Sequence, residues 1–157
     1  MVGGLGRSTA EELDRLARLV METDDPAELL MRAVPARHVA ASWDDVAGLD
    51  AASGFWSTNS GQPKDYALSR NAGSANLFVT HCWAAPRNWH QLMGTKCMYG
   101  DVKATEMKVI ADDVAESCGG TWEEVTLWID KCCIPQRHAL LHTCVELIED
   151  FVQRCDG

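Results

Sequence analysis

The sequence predicts an α/β domain, with a partial parallel sheet over its second half and an α-helical segment before it. Three observations carry that expectation. Thr126–Ile129 is a short β-branched and aromatic run of the kind that forms a strand buried on both faces, and Leu77–Thr80 is a second. Residues 101–117 lie between them with apolar side chains at helical spacing, so strand, helix and strand read as one parallel β–α–β unit. Both runs stop in polar residues, His81-Cys82 and Asp130-Lys131. In open α/β sheets the ligand crevice lies just beyond the carboxyl ends of the strands.

Taken in order, residues 1–47 read as a helical segment. Ser8 and Glu11 fit a capping box, and Leu13, Leu16, Ala17 and Val20 recur at helical spacing, predicting a helix over 9–23. Asp25-Pro26 starts a second helix, with Leu29, Leu30 and Ala33 inward and Pro35 as its end. Ser42 caps a short turn through Val46. Residues 48–76 are rich in Gly, Ser and Asn without a period, which predicts a loop or linker, anchored to the domain by the adjacent aromatics Phe55 and Trp56.

Residues 77–157 form the partial α/β domain. Asp101 is the expected N-cap of its first helix, Met107, Ile110 and Val114 the apolar stripe, and Gly119-Gly120 the stop. Pro135 forbids extension of the second strand's ladder. A closing helix over 138–154 presents Leu141, Cys144, Val145, Ile148, Val152 and Cys155 on one side, widened by Leu140, Leu147 and Phe151. Two parallel strands make a weak sheet, and a third is expected after the closing helix. The chain therefore reads as a fragment, or as a domain completed by a partner.

Composition narrows the function classes. At 157 residues and 46% hydrophobic, the chain has the make-up of one globular domain. Twenty-three acidic residues against fourteen basic ones give a formal charge of −9, which speaks against nucleic acid as a partner. The sequence offers no membrane-length apolar run and no signal-peptide stretch, so a cytoplasmic location is expected. Seven cysteines occur with no CxxC pair, which fits reduced structural thiols better than a zinc ribbon. Cys132 and Cys133 would point to opposite faces of an extended chain, away from any shared ion.

The stretch WIDKCCIPQ resembles the W-I-D-x-x-C-I-x-Q signature of the fungal heterokaryon-incompatibility (HET) domain. Trp128, Ile129, Asp130, Cys133, Ile134 and Gln136 stand at the matching positions. LFVTHCW is similar to the first-strand motif F-V-S-H-x-W of protist and algal relatives of the Toll/interleukin-1 receptor (TIR) fold. The resemblance covers residues 77–157. It implies a Rossmann-like, flavodoxin-type sheet used in immune or cell-death signalling, with self-association or other TIR/HET-like domains as partners. Some TIR relatives also cleave the nicotinamide–ribose bond of NAD, which requires an acidic residue near the ribose. That glutamate lies on the helix after the third strand, in a tract expected here to resemble L-W-C-x-x-E. No such tract is present, and the role is not carried over to Glu146 or Glu149, which lie on an earlier helix.

The candidate ligand-pocket residues are Thr80, His81, Cys82, Trp83, Asp130, Lys131, Cys133 and Gln136. Each has an ordinary reading beside the functional one. Asp130 either bonds a ribose or caps the turn after its strand, the commoner use of such a carboxylate. His81 suits acid–base work near neutrality but lacks a paired Asp or Cys at a diagnostic spacing. Trp83 and Trp89 either stack on a base or pack on their own domain. Lys131 pairs with phosphate or with the acidic surface, and His138 and His142 have a zinc spacing without a third ligand. The favoured expectation is a signalling or assembly module without catalysis of its own. The alternatives are an NAD-cleaving or nucleotide-binding domain, with NAD as substrate, and a thiol redox or metal protein using Cys82, Cys132 and Cys133. No catalytic residue, metal or resident cofactor is assigned.

Overall fold

A computed structural model describes residues 5–58, 61–80, 87–88 and 98–157, with side chains from Thr9 onward. In chain order the elements are α1 (Leu5–Leu19), α2 (Pro26–Leu30), β1 (Arg32–Pro35), a 3-10 turn (Ala36–His38), α3 (Val46–Trp56) and α4 (Pro63–Tyr66). They continue with β2 (Arg70–Asn71), β3 (Leu77–Val79), α5 (Tyr99–Cys118), a second 3-10 turn (Trp122–Glu124) and β4 (Thr126–Ile129). α6 (Asp130–Cys133), α7 (Leu140–Glu146) and α8 (Ile148–Gln153) complete the described elements.

The four strands form one mixed sheet in the order β2-β1-β4-β3. β3 and β4 are adjacent and parallel, with Leu77 opposite Leu127, Phe78 opposite Trp128 and Val79 opposite Ile129. This is the pairing expected of the β–α–β unit. The purely parallel sheet is corrected, because β1 runs antiparallel to both of its neighbours. The all-helical reading of residues 1–47 fails at the same place. Arg32 and Ala33 pair with β2, whereas Val34 and Pro35 pair with β4, so each half of β1 serves a different neighbour. Pro35 ends the strand rather than a helix, and the ladder resumes one residue on, where the Ala36 N–H donates to Val125 O at 2.8 Å. The additional strands of the sheet thus come from upstream of β3, where the sequence reading looked downstream.

β4 is the buried centre, with Leu127 and Ile129 fully inaccessible and Trp128 stacked on Phe78 at 4.4 Å between ring centroids. Asn76 splices the two parallel strands. Its carboxamide oxygen accepts from the Thr126 N–H at 2.9 Å and the Thr126 hydroxyl at 3.0 Å, while its own N–H donates to Thr126 O. Along the outer edge of β3, the Phe78 N–H donates to Gly157 O at 2.8 Å and the Gly157 N–H to Asn76 O at 3.1 Å. These bonds satisfy backbone groups that an open edge would leave to water.

Residues 48–76, read as a loop, contain α3, α4 and β2. Phe55 and Trp56 are buried as anchors, and the Trp56 indole N–H donates to Val39 O at 2.7 Å. α3 lies against α5 so closely that a Cβ at Gly100 would come within 2.5 Å of the Ser53 carbonyl oxygen. The buried residues of α5 are accordingly mostly small, Gly100, Ala104, Thr105, Ala111 and Ala115, with Val102 and Met107 the larger ones. That set corrects the expected stripe, since Ile110 is exposed. Asp101 sits one turn inside the helix, where its carboxylate accepts from the Met98 N–H at 2.9 Å. Gly119 ends α5 at φ 75°, a left-handed conformation that suits glycine.

The closing helix is broken at Leu147 into α7 and α8. Leu140, Cys144 and Phe151 enter the core, whereas Val145 and Val152 are exposed, contrary to the single wide stripe expected. Asp25 caps α2 as predicted, accepting from the Glu28 N–H at 2.9 Å. The Ser8 side chain lies outside the described set, and α1 already begins at Leu5. Replacing Leu127 by Ala would leave a void in the centre of the sheet and cost about 2–5 kcal/mol. Urea denaturation checks this, and a loss under about 1 kcal/mol would mean that β4 is not the packing centre.

Candidate functional site

The residues singled out after the two parallel strands go to different places. The β3–β4 register puts Thr80 and Asp130 next to one another at the carboxyl end of the pair, with Thr80 exposed and Asp130 half-buried. His81, Cys82 and Trp83, together with Trp89, lie outside the described residues. Lys131 and Cys133 turn into the protein instead of toward a crevice, while half-buried Gln136 lines a cavity between α1 and α4.

The local cause is α6. Directly after Ile129 the chain winds into one helical turn, so Cys132 and Cys133 are both buried with their Sγ atoms 3.9 Å apart. The opposite-face reading is corrected, because it assumed an extended chain. Asp130 is the first residue of this turn, and its carboxylate accepts the Lys131 N–H at 2.7 Å; Ile129 holds the N-cap position, with no side-chain cap bond. Burial pushes the Cys132 thiol up, and the Cys144 thiol to about 12. Little of either is thiolate, the reactive form, near neutral pH.

Lys131 is fully buried. Its ammonium donates to the carbonyl oxygens of Phe55 and Thr58 and to the Thr58 hydroxyl, the last at 2.8 Å, and lies 4.6 Å from the Phe55 ring centroid. It therefore closes the C-terminal end of α3, where the macrodipole favours a cation, and neither the phosphate nor the surface reading applies. Desolvation lowers its pKa, and the nearby buried Asp65 acts in the opposite direction.

Gln136 staples the same loop. Its carboxamide oxygen accepts the Gly61 N–H at 2.9 Å, and its amide nitrogen donates to Asp130 O at 3.3 Å. The approach is tight, since a Cβ at Gly61 would meet Lys131 O at 2.5 Å. Ser69 adds a further tie, its hydroxyl donating to Cys132 O. The partners Phe55, Thr58, Gly61 and Ser69 were missed because they lie in the stretch that reads as linker. The adjacent aromatics at 55–56 were the one signal there.

Beside Gln136 lies a cavity of about 220 Å³ between α1, α4 and the loop after β4, walled by Ala10, Leu13, Pro63, Tyr66 and Pro135. At its rim His138 Nε2 meets Asp14 Oδ1 at 3.1 Å, and His138 Nδ1 accepts the Leu140 N–H at 3.1 Å. The second bond leaves the proton of the neutral ring on Nε2, which donates to Asp14. Both ring nitrogens of His138 are thereby engaged, while the Asp14 side chain stays largely exposed beside them. His142 is exposed, and among the described residues no group of three or more His, Cys, Asp or Glu is placed to hold a metal. No described helix is long and apolar enough to cross a membrane.

Comparisons with family models, curated proteins and solved structures return no match to this chain.

The lysine gives a signed pH prediction. Its folded pKa lies below the ordinary 10.5, so the charged form is disfavoured in the fold. Stability should rise with pH between the lowered folded value and the unfolded one, where the unfolded chain binds more protons. Substituting Lys131→Met removes this gain and leaves carbonyls at the end of α3 unpaired, costing about 1–3 kcal/mol. Melts of both proteins from neutral to alkaline pH isolate the lysine by difference. A constant difference across that range would refute the assignment.

Proposed function

We propose that this chain is an assembly module of the TIR/HET-like signalling type, without catalysis of its own, whose partner is a second copy or a related domain. The observation that carries the reading is how the signature stretch is used. Lys131 closes α3, Gln136 and Ser69 tie the loop to residues 61–69, and Cys132 and Cys133 fill the core. A signature used in this way preserves the shape of a surface.

A recognition surface is at hand along α5. Trp43, Val109 and Ile110 are exposed along a groove of about 550 Å³ between α5 and the turn before α3. Exposed apolar side chains gathered in one place are characteristic of contact sites. Lys103 and Lys108 are interleaved with Glu106 and Asp112 along α5, and three of these residues, Glu106, Lys108 and Asp112, line the groove. A face carrying both signs is self-complementary under two-fold symmetry, with acid set against base in both directions.

Sedimentation velocity from low to high micromolar protein tests this. The mass should increase with concentration for the wild type, and the double variant Trp43→Glu, Val109→Glu should stay monomeric with an unchanged melt. NAD incubated with the wild type should release no nicotinamide. A monomer at every concentration, or steady nicotinamide release, would defeat the reading.

A further inference from the structure

We infer that the cavity between α1, α4 and the loop after β4 is a binding site for a small apolar carboxylate, one ring or a branched aliphatic chain in size. The inference goes beyond the assembly reading and does not rest on it, since the cavity and the Trp43 groove share no residue.

Size and lining set the body of the ligand. The cavity measures about 220 Å³, and its walls are the side chains of Ala10, Leu13, Pro63, Tyr66 and Pro135. A dry cavity of about 150 Å³ is enough to take up benzene, so one ring with a short substituent fits. Tyr66 is a fixed wall. It is 6% exposed, burial pushes its hydroxyl up to about 12, and the Arg32 guanidinium lies 3.9 Å from its ring centroid. The phenol is thus neutral over the physiological range and presents an uncharged surface.

The polar rim sets the charge. Gln136 is held by Gly61 and Asp130, His138 by Asp14 and Leu140, and Asp14 by His138. Thr9 and Gln62 are engaged within the protein as well. Arg137 differs: it lines the cavity, is exposed, and makes no hydrogen bond or ion pair among the described residues. A guanidinium offers five N–H donors in a planar fork, whose natural partner is a carboxylate held by two parallel bonds. An apolar chamber with a single uncommitted arginine at its mouth selects a hydrocarbon acid over the matching amine or alcohol. Asp14 at the same rim repels an incoming anion, so the ligand's carboxylate must sit on the Arg137 side.

Isothermal titration of the full chain with benzoate, benzyl alcohol and benzylamine tests the assignment, with isovalerate as the aliphatic probe. Benzoate or isovalerate should bind saturably, and Arg137→Gln should weaken that binding on the order of tenfold. Ala10→Phe, which fills the chamber from an exposed helical position, should abolish it while the thermal melt is retained. Arg137 is exposed, so its variant keeps the test open even if Ala10→Phe disturbs α1. Absence of binding by both acids would overturn the proposal. So would benzoate binding that survives Ala10→Phe with its melt intact, or benzylamine or benzyl alcohol binding as tightly as benzoate.

Discussion

Burial of β4 on both faces and along both edges is the constraint from which the rest of the arrangement follows. A strand with Leu127 and Ile129 inaccessible and Trp128 between Phe78 and Phe151 must find a hydrogen-bonding neighbour on each side. One neighbour is the parallel β3 and the other is the antiparallel β1, drawn from the first quarter of the chain. The indole nitrogen of Trp128 has no hydrogen-bond partner among the described residues. Its stacking and apolar contacts offset a desolvated N–H. Once β4 is fixed, the turn that follows it has little freedom, and Lys131 and Gln136 connect that turn to the 55–69 stretch. The sheet centre and the signature loop are therefore one packing problem.

The legible parts of the fold were those whose local preference agrees with their final state. LFVT and TLWI are β-branched and aromatic, and the parallel pairing followed from the helix between them. Asp25-Pro26 and Gly119-Gly120 carry their geometry in single residues, and both boundaries hold. β1 was hidden because Arg-Ala-Val-Pro has one β-branched residue and a proline. Its strand state comes from two short ladders made with distant partners, a case in which context overrides propensity. α3 was hidden because its two glycines and its serine weaken the helical signal and its alanines mark no apolar face. Small Ser53 stands where Gly100 of α5 approaches, a requirement that local composition does not express.

The candidate site shows the same division. That the stretch after β4 organises its surroundings was legible; the direction of its side chains was not. Lys131 looked like a surface cation because buried lysines are rare, and the carbonyl oxygens that receive it belong to backbone some seventy positions upstream. Cys132 and Cys133 looked divergent only while the chain was taken as extended. The cavity beside Gln136 depends on α1, α4 and the residues after Pro135 meeting, a juxtaposition that no single segment announces.

The antiparallel pairing of Val34 with Leu127 has a consequence for synthesis. A ribosome releases the chain from its first residue, so Arg32–Pro35 emerges long before Thr126–Ile129 is made. Until then one side of β1 faces solvent or a chaperone, and the sheet cannot close in the order of translation. Contacts of such sequence separation slow folding, so closure of the sheet waits on β4 rather than on β1.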